Sequence, residues 1–208
     1  MISYRRVVQW MNVIRDCANT PEQARLLENF WSSQMNSKMW LMESLQTHVT
    51  LPVNPNIAIY GGWYGILAQL LHDAYPTANI VSIDQDPLCE VNGQRLLLPG
   101  DRDGIKFITA DMENCGEEGN TAHVIINTST EHITQNVFDQ WISCMPIHVP
   151  IVLQGNDFNT ISEHIRCSDD LAMFKRMNQL DKYLMASQLS CGTFTRFMSI
   201  GYKHGKGK

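Results

Sequence analysis

From residue 57 onward, short apolar runs alternate with segments whose apolar residues recur at helical spacing. The runs are continuously apolar, which is typical of strands that are buried on both faces of a sheet. Strands that alternate with helices predict a parallel sheet with helices on both sides. The predicted strands are IAIY (57–60), NIVSID (79–84), IKFITAD (105–111), HVIINTST (123–130) and PIVLQGND (150–157), and the predicted helices are ILAQLLHDAY, PLCEVNGQRLLL and VFDQWISCM.

The end of the chain departs from this pattern. Two β-like runs, YLMASQLS and TFTRFMSIGYK, are separated only by CG, which leaves no room for a crossover helix. Strands that are joined so briefly pair as an antiparallel hairpin. The sequence therefore predicts an α/β fold whose mostly parallel sheet ends in a C-terminal antiparallel hairpin.

The first 48 residues contain no strand pattern and are predicted to be helical. The segment TPEQARLLENFWSSQMNSKMWLMESLQTHV opens with Thr20 as a helix cap and Pro21 at the first helical position. We expect one domain, with a helical extension at 1–50, the sheet at 51–203 and a solvated tail at 204–208. The apolar side chains of the extension are expected to pack on the core. Its exposed aromatic residues and methionines could form a lid or a homodimer surface, and the sequence does not decide between them.

Composition and charge exclude several classes of function. The 208 residues carry a formal charge of −5, which offers no electrostatic footprint for bulk nucleic acid, although SYRR and YKHGKGK are locally basic. The six cysteines form no C-x-x-C pair, which argues against a zinc site and a disulfide-rich fold and favours reduced thiols in the cytoplasm. No metal is expected. Gln9 and Asn12 interrupt the first apolar run, and no run approaches the ~20 residues of a membrane span, so neither a signal peptide nor membrane contact is expected.

Glycines and acidic residues follow the predicted strands, at the edge where open α/β sheets bind ligands. Glycines after the first strand allow a ligand to approach the backbone, and the following helix offers free N–H groups. Asp84, which stands 23 positions after Gly61, is placed to accept hydrogen bonds from a ribose. These features predict a nucleoside-containing cofactor. The alternative is a tight turn followed by solvated strand ends.

The aromatic residues of the glycine loop distinguish between cofactors. A nicotinamide fingerprint would need glycine where Tyr60 stands, and Trp63 and Tyr64 crowd the place of a pyrophosphate. S-adenosylmethionine contains no pyrophosphate. The loop and the terminal hairpin therefore disfavour an NAD-dependent dehydrogenase and favour S-adenosylmethionine.

The segments IYGGWYG, SIDQDP, ITADM and VIINTSTEHI and the hairpin ASQLSCGTFTRFMSIGYK together resemble class I S-adenosylmethionine-dependent methyltransferases over about residues 55–203. NTSTEHI followed by VLQGND resembles, more narrowly, small methyltransferases of tailed bacteriophages. The resemblance implies a Rossmann-like three-layer sandwich whose seven-stranded sheet has an antiparallel last strand. It also implies a cytoplasmic methyltransferase.

The same resemblance implies roles for individual residues. Asp84 would bind the ribose hydroxyls, Asp111 the adenine amino group, and Asn127 would face the methyl group and the acceptor. The remaining implied cofactor contacts are Tyr60, Gly61, Gly62, Trp63, Tyr64 and Gly65 near the methionine portion, Gln85 and Asp86 near the adenosine, and Met112 against the adenine ring.

Two positions depart from the family pattern. Ile59 stands where members usually carry an acidic residue, and Trp63 replaces the central glycine. Another group must therefore bind the cofactor's ammonium. Trp63 and Tyr64 either form a wall of the cofactor pocket, where aromatic rings attract a cation, or pack against the N-terminal helices.

The polar run after the fourth strand supplies candidate catalytic groups. Methyl transfer from a sulfonium requires an in-line arrangement and, for a hydroxyl or protonated amine acceptor, a base. The candidates are Asn127, Ser129, Glu131 and His132. Ser129 or Thr130 could instead cap the next helix.

The acceptor itself is not identified. The run is not the DPPY or NPPY motif that holds the exocyclic amine of a nucleic-acid base, so a small molecule or a protein is the favoured acceptor. Gln154, Asn156 and Asp157 lie at the same predicted rim, whereas His164, Arg166, Lys175 and Arg176 are expected on a solvated helix face.

Two alternatives remain open. Trp63 at the usual glycine position favours cleavage of S-adenosylmethionine or transfer of its aminocarboxypropyl group, because the loop contacts the methionine chain. The other alternative is a non-catalytic module for phage–host interaction.

Overall fold

In the computed structural model, residues 2–114 and 116–203 are described, and within them eight α-helices surround one seven-stranded sheet. The strands are β1 (Asn56–Tyr60), β2 (Asn79–Asp84), β3 (Ile105–Thr109), β4 (Val124–Asn127), β5 (Ile151–Asn156), β6 (Lys182–Ser190) and β7 (Thr195–Tyr202). The helices are α1 (Tyr4–Asp16), α2 (Pro21–Glu28), α3 (Ser32–His48), α4 (Ile66–Ala74), α5 (Pro87–Leu96), α6 (Gly116–Asn120), α7 (Gln135–Cys144) and α8 (Leu171–Met177).

The sheet has the order β3-β2-β1-β4-β5-β7-β6, and the predicted fold is confirmed. Strands β1 to β5 are parallel, and β7 runs antiparallel to both β5 and β6. The carboxyl ends of the five parallel strands therefore share one edge, and the direction of strand order reverses between β1 and β4. Strands β3 and β4 end at Thr109 and Asn127, before the polar residues that the sequence-based boundaries included.

Alternate side chains of the strands build a core on each face of the sheet. Within β1, Ile57 and Ile59 pack on the face that α3 and α4 cover, and Ala58 and Tyr60 pack on the opposite face. Helix α3 contributes Leu41, Leu45 and the adjoining Val49 to the first core, while α7 and α8 contribute Phe138, Trp141 and Phe174 to the second.

The N-terminal segment forms three helices that are joined to the sheet-containing part by a third core. The helical segment predicted from Thr20 breaks between α2 and α3, where the Asn29 side chain donates hydrogen bonds to the carbonyls of Arg25 and Leu26. A side chain that binds backbone carbonyls in this way competes with helix continuation. The third core joins α1, α2, α4 and α5 through Trp10, Ile14, Leu26, Tyr64, Leu70 and Leu96.

Arg6 fixes α1 to α4 through an almost fully buried guanidinium. It forms ion pairs with Asp73 at 2.5 Å and Asp101 at 2.8 Å, and it donates to Gln69 at 3.0 Å. Trp10 Nε1 donates to the same Gln69 Oε1 at 2.9 Å. A buried charge with several acceptors is well compensated, so the extension is an integrated part of the packing.

Three expectations concern cysteines, the membrane and the tail. Cys17, Cys89, Cys144, Cys167 and Cys191 are free thiols. Across residues 2–114 and 116–203, no helix is both long and apolar enough to cross a bilayer. Cys115 and the tail predicted at 204–208 lie outside the described residues.

Candidate functional site

A cleft of about 880 Å³ lies at the carboxyl ends of the parallel strands, where ligands of open α/β sheets bind. The loops after β1 to β5 line it together with α2 and α3. The sequence-predicted site residues that line the cleft are Gly61, Gly62, Trp63, Asp84, Gln85, Asp111, Met112, Ser129, Glu131 and His132. Those that the structure does not bring to its lining are Tyr60, Tyr64, Gly65, Asp86 and Asn127.

The loop after β1 is held in a left-handed backbone conformation. Gly61, Trp63 and Gly65 have φ angles of 65°, 48° and 71°, and Trp63 is the one of the three for which this conformation is strained. Cβ atoms at Gly61 and Gly62 would collide with the Oγ atoms of Ser129 and Ser82. The glycines therefore permit close packing of the protein's own side chains, a reason that the sequence pattern does not reveal.

Asp84 connects the first two loops of the cleft. Its Oδ2 accepts a hydrogen bond from the Trp63 backbone N–H at 2.9 Å, and its Oδ1 accepts one from the Asp86 N–H at 3.1 Å. Each carboxylate oxygen retains a further acceptor site. Half-buried Asp84 and exposed Gln85 face the cleft.

Asp86 has a different position from the one that the resemblance implies. Its side chain caps α5 by accepting from the Leu88 N–H at 2.9 Å, and Arg25 donates to it at 2.6 Å. The Arg25 hydrogen bond lowers the pKa of Asp86. Asp86 thus joins α5 to α2, while Arg25 itself lines the cleft.

The loop after β3 presents Asp111 beside Met112. Asp111 is exposed, and its Oδ1 accepts a hydrogen bond from the Glu113 N–H at 3.0 Å at the start of a 3-10 turn, Met112–Asn114. Asn127 lies behind Met112, fully buried, with its Nδ2 3.9 Å from the Met112 sulfur. Asn127 Oδ1 accepts from the Ser129 N–H at 3.0 Å, so this amide shapes the turn that carries the next polar residues.

The two aromatic residues of the glycine loop have different positions, since one packs in the core with the N-terminal helices and the other lines the cleft. Tyr64 is fully buried in the core formed with α1 and α2, as the packing alternative required. Trp63 stacks on Tyr64 with ring centroids 5.4 Å apart, is half-buried and lines the cleft. Tyr60 packs edge-on against Trp141 in the core.

The 3-10 turn Thr130–His132 forms the far end of the cleft. Glu131 is 2% exposed, and its Oε1 accepts from Asn156 Nδ2 at 2.5 Å and from Arg196 Nη1 at 3.2 Å. Helix α7 is capped by Thr134, whose Oγ1 accepts from the Val137 N–H, so neither Ser129 nor Thr130 caps that helix. Burial of the imidazole by the surrounding protein lowers the pKa of His132, and the charge of Glu131 opposes this effect. The His132 residue as a whole reaches solvent at the rim of the cleft.

The expectation that His164 and Arg166 lie on a solvated helix face is wrong. Both lie in the segment between β5 and α8, where His164 lines the cleft and Arg166 is buried. The Arg166 guanidinium lies 4.3 Å from the centre of the Phe138 ring and donates to Gln135 Oε1 and to the Thr130 carbonyl. Burial lowers the pKa of Arg166 to about 10. Arg166 is therefore buried behind the turn Thr130–His132 and stabilises it.

The remaining rim candidates have separate positions. Asn156 lines the cleft, whereas Asp157 accepts a hydrogen bond from the Thr195 N–H and Gln154 is buried against Ser37 of α3. Lys175 lies over the Tyr183 ring, and Arg176 is exposed on α8.

The N-terminal helices and β7 supply lining residues that sequence reasoning missed. Lys38 Nζ donates to Gln34 Oε1 at 3.1 Å, and burial, followed by the charge of Arg196, lowers the pKa of Lys38 to about 7. A charged residue inside an apolar strand was a usable signal for Arg196, which is 4% exposed. No sequence signal marks the contributions of α2, α3 and the turn between them, which are Arg25, Glu28, Trp31, Ser33, Gln34 and Lys38.

The comparisons with known proteins give a fold likeness without a sequence match. No protein-family model and no curated protein matches the chain. A structure of MtNAS in complex with MTA and tNA is 13% identical, with a TM-score of 0.63, and the match covers 96% of this chain and 70% of that one. An MtNAS variant in complex with S-adenosylmethionine is 12% identical, with a TM-score of 0.60, over 94% of this chain and 72% of that one.

A named methyltransferase shares the same architecture. Geranyl diphosphate C-methyltransferase from Streptomyces coelicolor, in complex with Mg²⁺, geranyl diphosphate and S-adenosyl-L-homocysteine, is 11% identical with a TM-score of 0.60. That match covers 92% of this chain and 87% of the methyltransferase. At these identities the likeness concerns the fold, and the chain has the Rossmann-like fold found in class I S-adenosylmethionine-dependent methyltransferases.

Proposed function

We propose that the protein binds S-adenosylmethionine in the cleft and transfers its methyl group to a small-molecule or protein acceptor. The observation that carries this proposal is Asp84, a carboxylate at the end of β2 that faces the cleft and anchors the glycine loop through the Trp63 N–H. A ribose diol is a suitable donor to such a carboxylate. Solved proteins of this fold in complex with S-adenosylmethionine or S-adenosyl-L-homocysteine support the choice of cofactor.

The cleft supports an ordered placement of the cofactor. Asp111 and Met112 would receive the adenine, and Gly61, Gly62 and Trp63 would lie against the methionine portion. Glu28 of α2 offers a carboxylate on the wall of the cleft, and we assign the cofactor's ammonium to it, since Ile59 is buried in the core. Trp63 presents an aromatic face that can attract the sulfonium.

The acceptor would lie between the methyl group and the turn Thr130–His132. This end of the cleft combines polar groups with apolar ones, which suits an acceptor with both characters. The polar groups are Lys38, Ser129, Glu131, His132 and Arg196, and the apolar ones are Phe158, Ile161, Ile165 and Phe194. Holding the nucleophile in line with the methyl carbon and excluding water supplies much of the rate in such a displacement. Bulk DNA remains the disfavoured acceptor.

Transfer of the aminocarboxypropyl group is the second candidate. The MtNAS matches extend over 94–96% of this chain and therefore include much of the N-terminal segment that lines the cleft. One of those complexes contains MTA, and methylthioadenosine is what remains of S-adenosylmethionine when its aminocarboxypropyl group is transferred. Trp63, which lines the cleft at the usual glycine position and would lie against the methionine portion, is the local feature that favours this reaction.

Titration calorimetry with S-adenosylmethionine and S-adenosylhomocysteine tests the cofactor. We expect micromolar binding of both by the wild-type protein and a weakening of about ten-fold or more in Asp84→Asn, since a hydrogen bond to a charged group contributes about 1.5–3 kcal/mol. Asp103→Asn, an exposed aspartate outside the cleft, is the matched control. Failure of the folded wild-type protein to bind either compound would overturn the proposal and leave the non-catalytic interaction module.

Product analysis separates the two reactions. After incubation with S-adenosylmethionine and a pool of candidate acceptors, methyl transfer yields S-adenosylhomocysteine, whereas aminocarboxypropyl transfer yields methylthioadenosine. The phage relationship, the cytoplasmic location and a homodimer formed through the N-terminal helices remain predictions.

A further inference from the structure

Two histidines and a glutamate converge at the acceptor end of the cleft. Glu131, His132 and His164 each offer one possible metal-ligand atom, and these atoms all lie within 4.8 Å of one another. Glu131 and His132 belong to the turn after β4, and His164 belongs to the loop after β5. The three side chains therefore come from neighbouring strand ends, which the sheet holds side by side.

The glutamate has one anchored oxygen and one free oxygen. Oε1 accepts the hydrogen bonds from Asn156 and Arg196, whereas Oε2 is buried and has no partner among the described residues. A buried carboxylate oxygen without a partner is costly. This arrangement indicates a missing partner at Oε2, with Asn156 and Arg196 fixing the orientation of the carboxylate.

The histidines have the arrangement expected of metal ligands. His164 Nδ1 lies 2.5 Å from the Phe158 carbonyl oxygen, so Nδ1 carries the proton and Nε2 keeps its lone pair. The backbone of Glu163 is likewise a hydrogen-bond partner of the His132 ring. Metal-binding histidines commonly donate their second ring N–H to a carbonyl, which fixes the tautomer and the direction of the free nitrogen.

We propose that Glu131, His132 and His164 form a binding site for one divalent transition-metal ion. Two imidazoles and a carboxylate suit Zn²⁺, Co²⁺, Mn²⁺ or Fe²⁺ and leave coordination positions open. Ligand atoms about 2.1 Å from a tetrahedral ion lie roughly 3.4 Å apart, so binding draws the three atoms together. The proposed site contains no thiolate, so the spacing of the cysteines gave no sign of it.

The positive charge of Arg196 limits the affinity of this site. Arg196 is paired with Glu131 at 3.2 Å, and its charge also acts on His132 and on Lys38. Glu131 is therefore already partly neutralised, and a divalent ion adds two further charges. We expect weaker binding than at a site with the same ligands and no arginine.

The open positions of the ion would face the acceptor. An acceptor hydroxyl that coordinates a divalent ion would lose its proton to water more readily, and the resulting alkoxide would form the O–C bond as the S–C bond breaks and S-adenosylhomocysteine leaves. This catalytic role rests on the proposed function, whereas the binding of the ion does not.

Titration of the metal-free protein with Co²⁺, followed by visible absorption, and with Zn²⁺, followed by calorimetry, tests the site without cofactor. We expect one equivalent to bind to the wild-type protein and the affinity to fall at least ten-fold in His164→Ala and in Glu131→Gln. His132→Gln changes an exposed side chain, so it reports on the site even if another variant fails to fold. His148→Ala, an exposed histidine outside the cleft, is the matched control.

The outcomes separate the two proposals. Absence of stoichiometric binding, or binding that the His132 and His164 variants leave unchanged, would overturn the metal site. Binding of S-adenosylmethionine without binding of the metal rejects this inference alone. Metal binding without S-adenosylmethionine binding rejects the proposed function and leaves the metal site standing.

Discussion

At the scale of single residues, Lys38 has an acidity set by the cleft that surrounds it. Burial and the nearby charge of Arg196 lower its pKa to about 7, so about half of the amines are uncharged at that pH. An uncharged amine is a base and a nucleophile at neutral pH. Lys38 lies on the same wall of the cleft as Gln34.

We predict that an amine-acylating reagent modifies Lys38 with a rate that rises through about pH 7 and then levels off, because the rate follows the uncharged fraction. Brief labelling between about pH 6 and pH 9, read by peptide mass spectrometry, measures the profile. Lys106, which is exposed on β3, corrects for changes in the reagent itself. Modification of Lys38 no faster than that of Lys106 at pH 7 would contradict the lowered pKa.

A loop position can exclude a side chain for two reasons, a positive φ angle or a blocked Cβ position. Three glycines of this protein differ in which of these reasons apply. Gly61 combines a φ of 65° with a Cβ position blocked by Ser129, Gly192 has a φ of 85° and free space around it, and Gly100 has neither restriction. We predict that Gly61→Ala lowers the free energy of unfolding by more than about 2 kcal/mol, Gly192→Ala by about 1 kcal/mol, and Gly100→Ala hardly at all. Urea unfolding of the three variants measures the order. Equal losses for Gly61 and Gly192 would show that Ser129 moves aside at no cost.

At the scale of elements, α1 depends on one arginine. Arg6 is 1% exposed, and its removal leaves the buried Asp101 with only His72 and the Leu98 N–H as partners, beside a partly exposed Asp73. We predict that Arg6→Met lowers the free energy of unfolding by about 3 kcal/mol, since breaking a buried ion pair is costly. Arg5→Met, at an exposed neighbouring position, is the control and should change stability by less than about 0.5 kcal/mol.

The Arg6–Asp101 ion pair makes the free energy of unfolding depend on pH, and the pKa of Asp101 gives the direction of this dependence. Burial raises the pKa of Asp101, but the hydrogen bond and charge of Arg6, with the Leu98 N–H and the charge of His72, together outweigh burial and leave that pKa below its ordinary value. The folded state therefore binds fewer protons, and the contribution of Asp101 is fully present above about pH 4 and is lost as the pH falls below it. This acid-dependent part of the unfolding free energy should disappear in Arg6→Met. An unchanged acid dependence would assign it to other carboxylates.

At the scale of the whole molecule, the features of the fold that can be predicted from the sequence are those that depend on a local pattern of residues. The apolar runs identify the strands, the short CG connection identifies the hairpin, and the position of Asp84 at the end of its strand places it at the cleft. Local pattern does not predict contacts between distant segments. Arg166 is polar and precedes a helix, and nothing in its neighbours indicates that the Phe138 ring covers it.

The cleft lining shows the same limit. Lys38 and Arg196 reach it only because α3 packs against the β6–β7 hairpin, and Ser129 and Ser82 fill the space over two glycines only because the loops after β1 and β4 meet beside β2. Such side chains are fixed by tertiary packing, so their roles follow from the folded structure and not from spacing along the chain.

The position of β7 affects when the cleft is completed during synthesis of the chain. β7 follows β6 along the chain, yet it lies between β5 and β6, and it carries Arg196, the partner of Glu131. While the ribosome still covers residues 195–202, the edge of β5 is unpaired and Glu131 lacks its arginine. Nascent chains with an open edge are prone to misassociation. The end of the cleft that contains Glu131 and Arg196 is therefore completed only when this hairpin has formed, later than the end that contains Asp84 and the glycine loop.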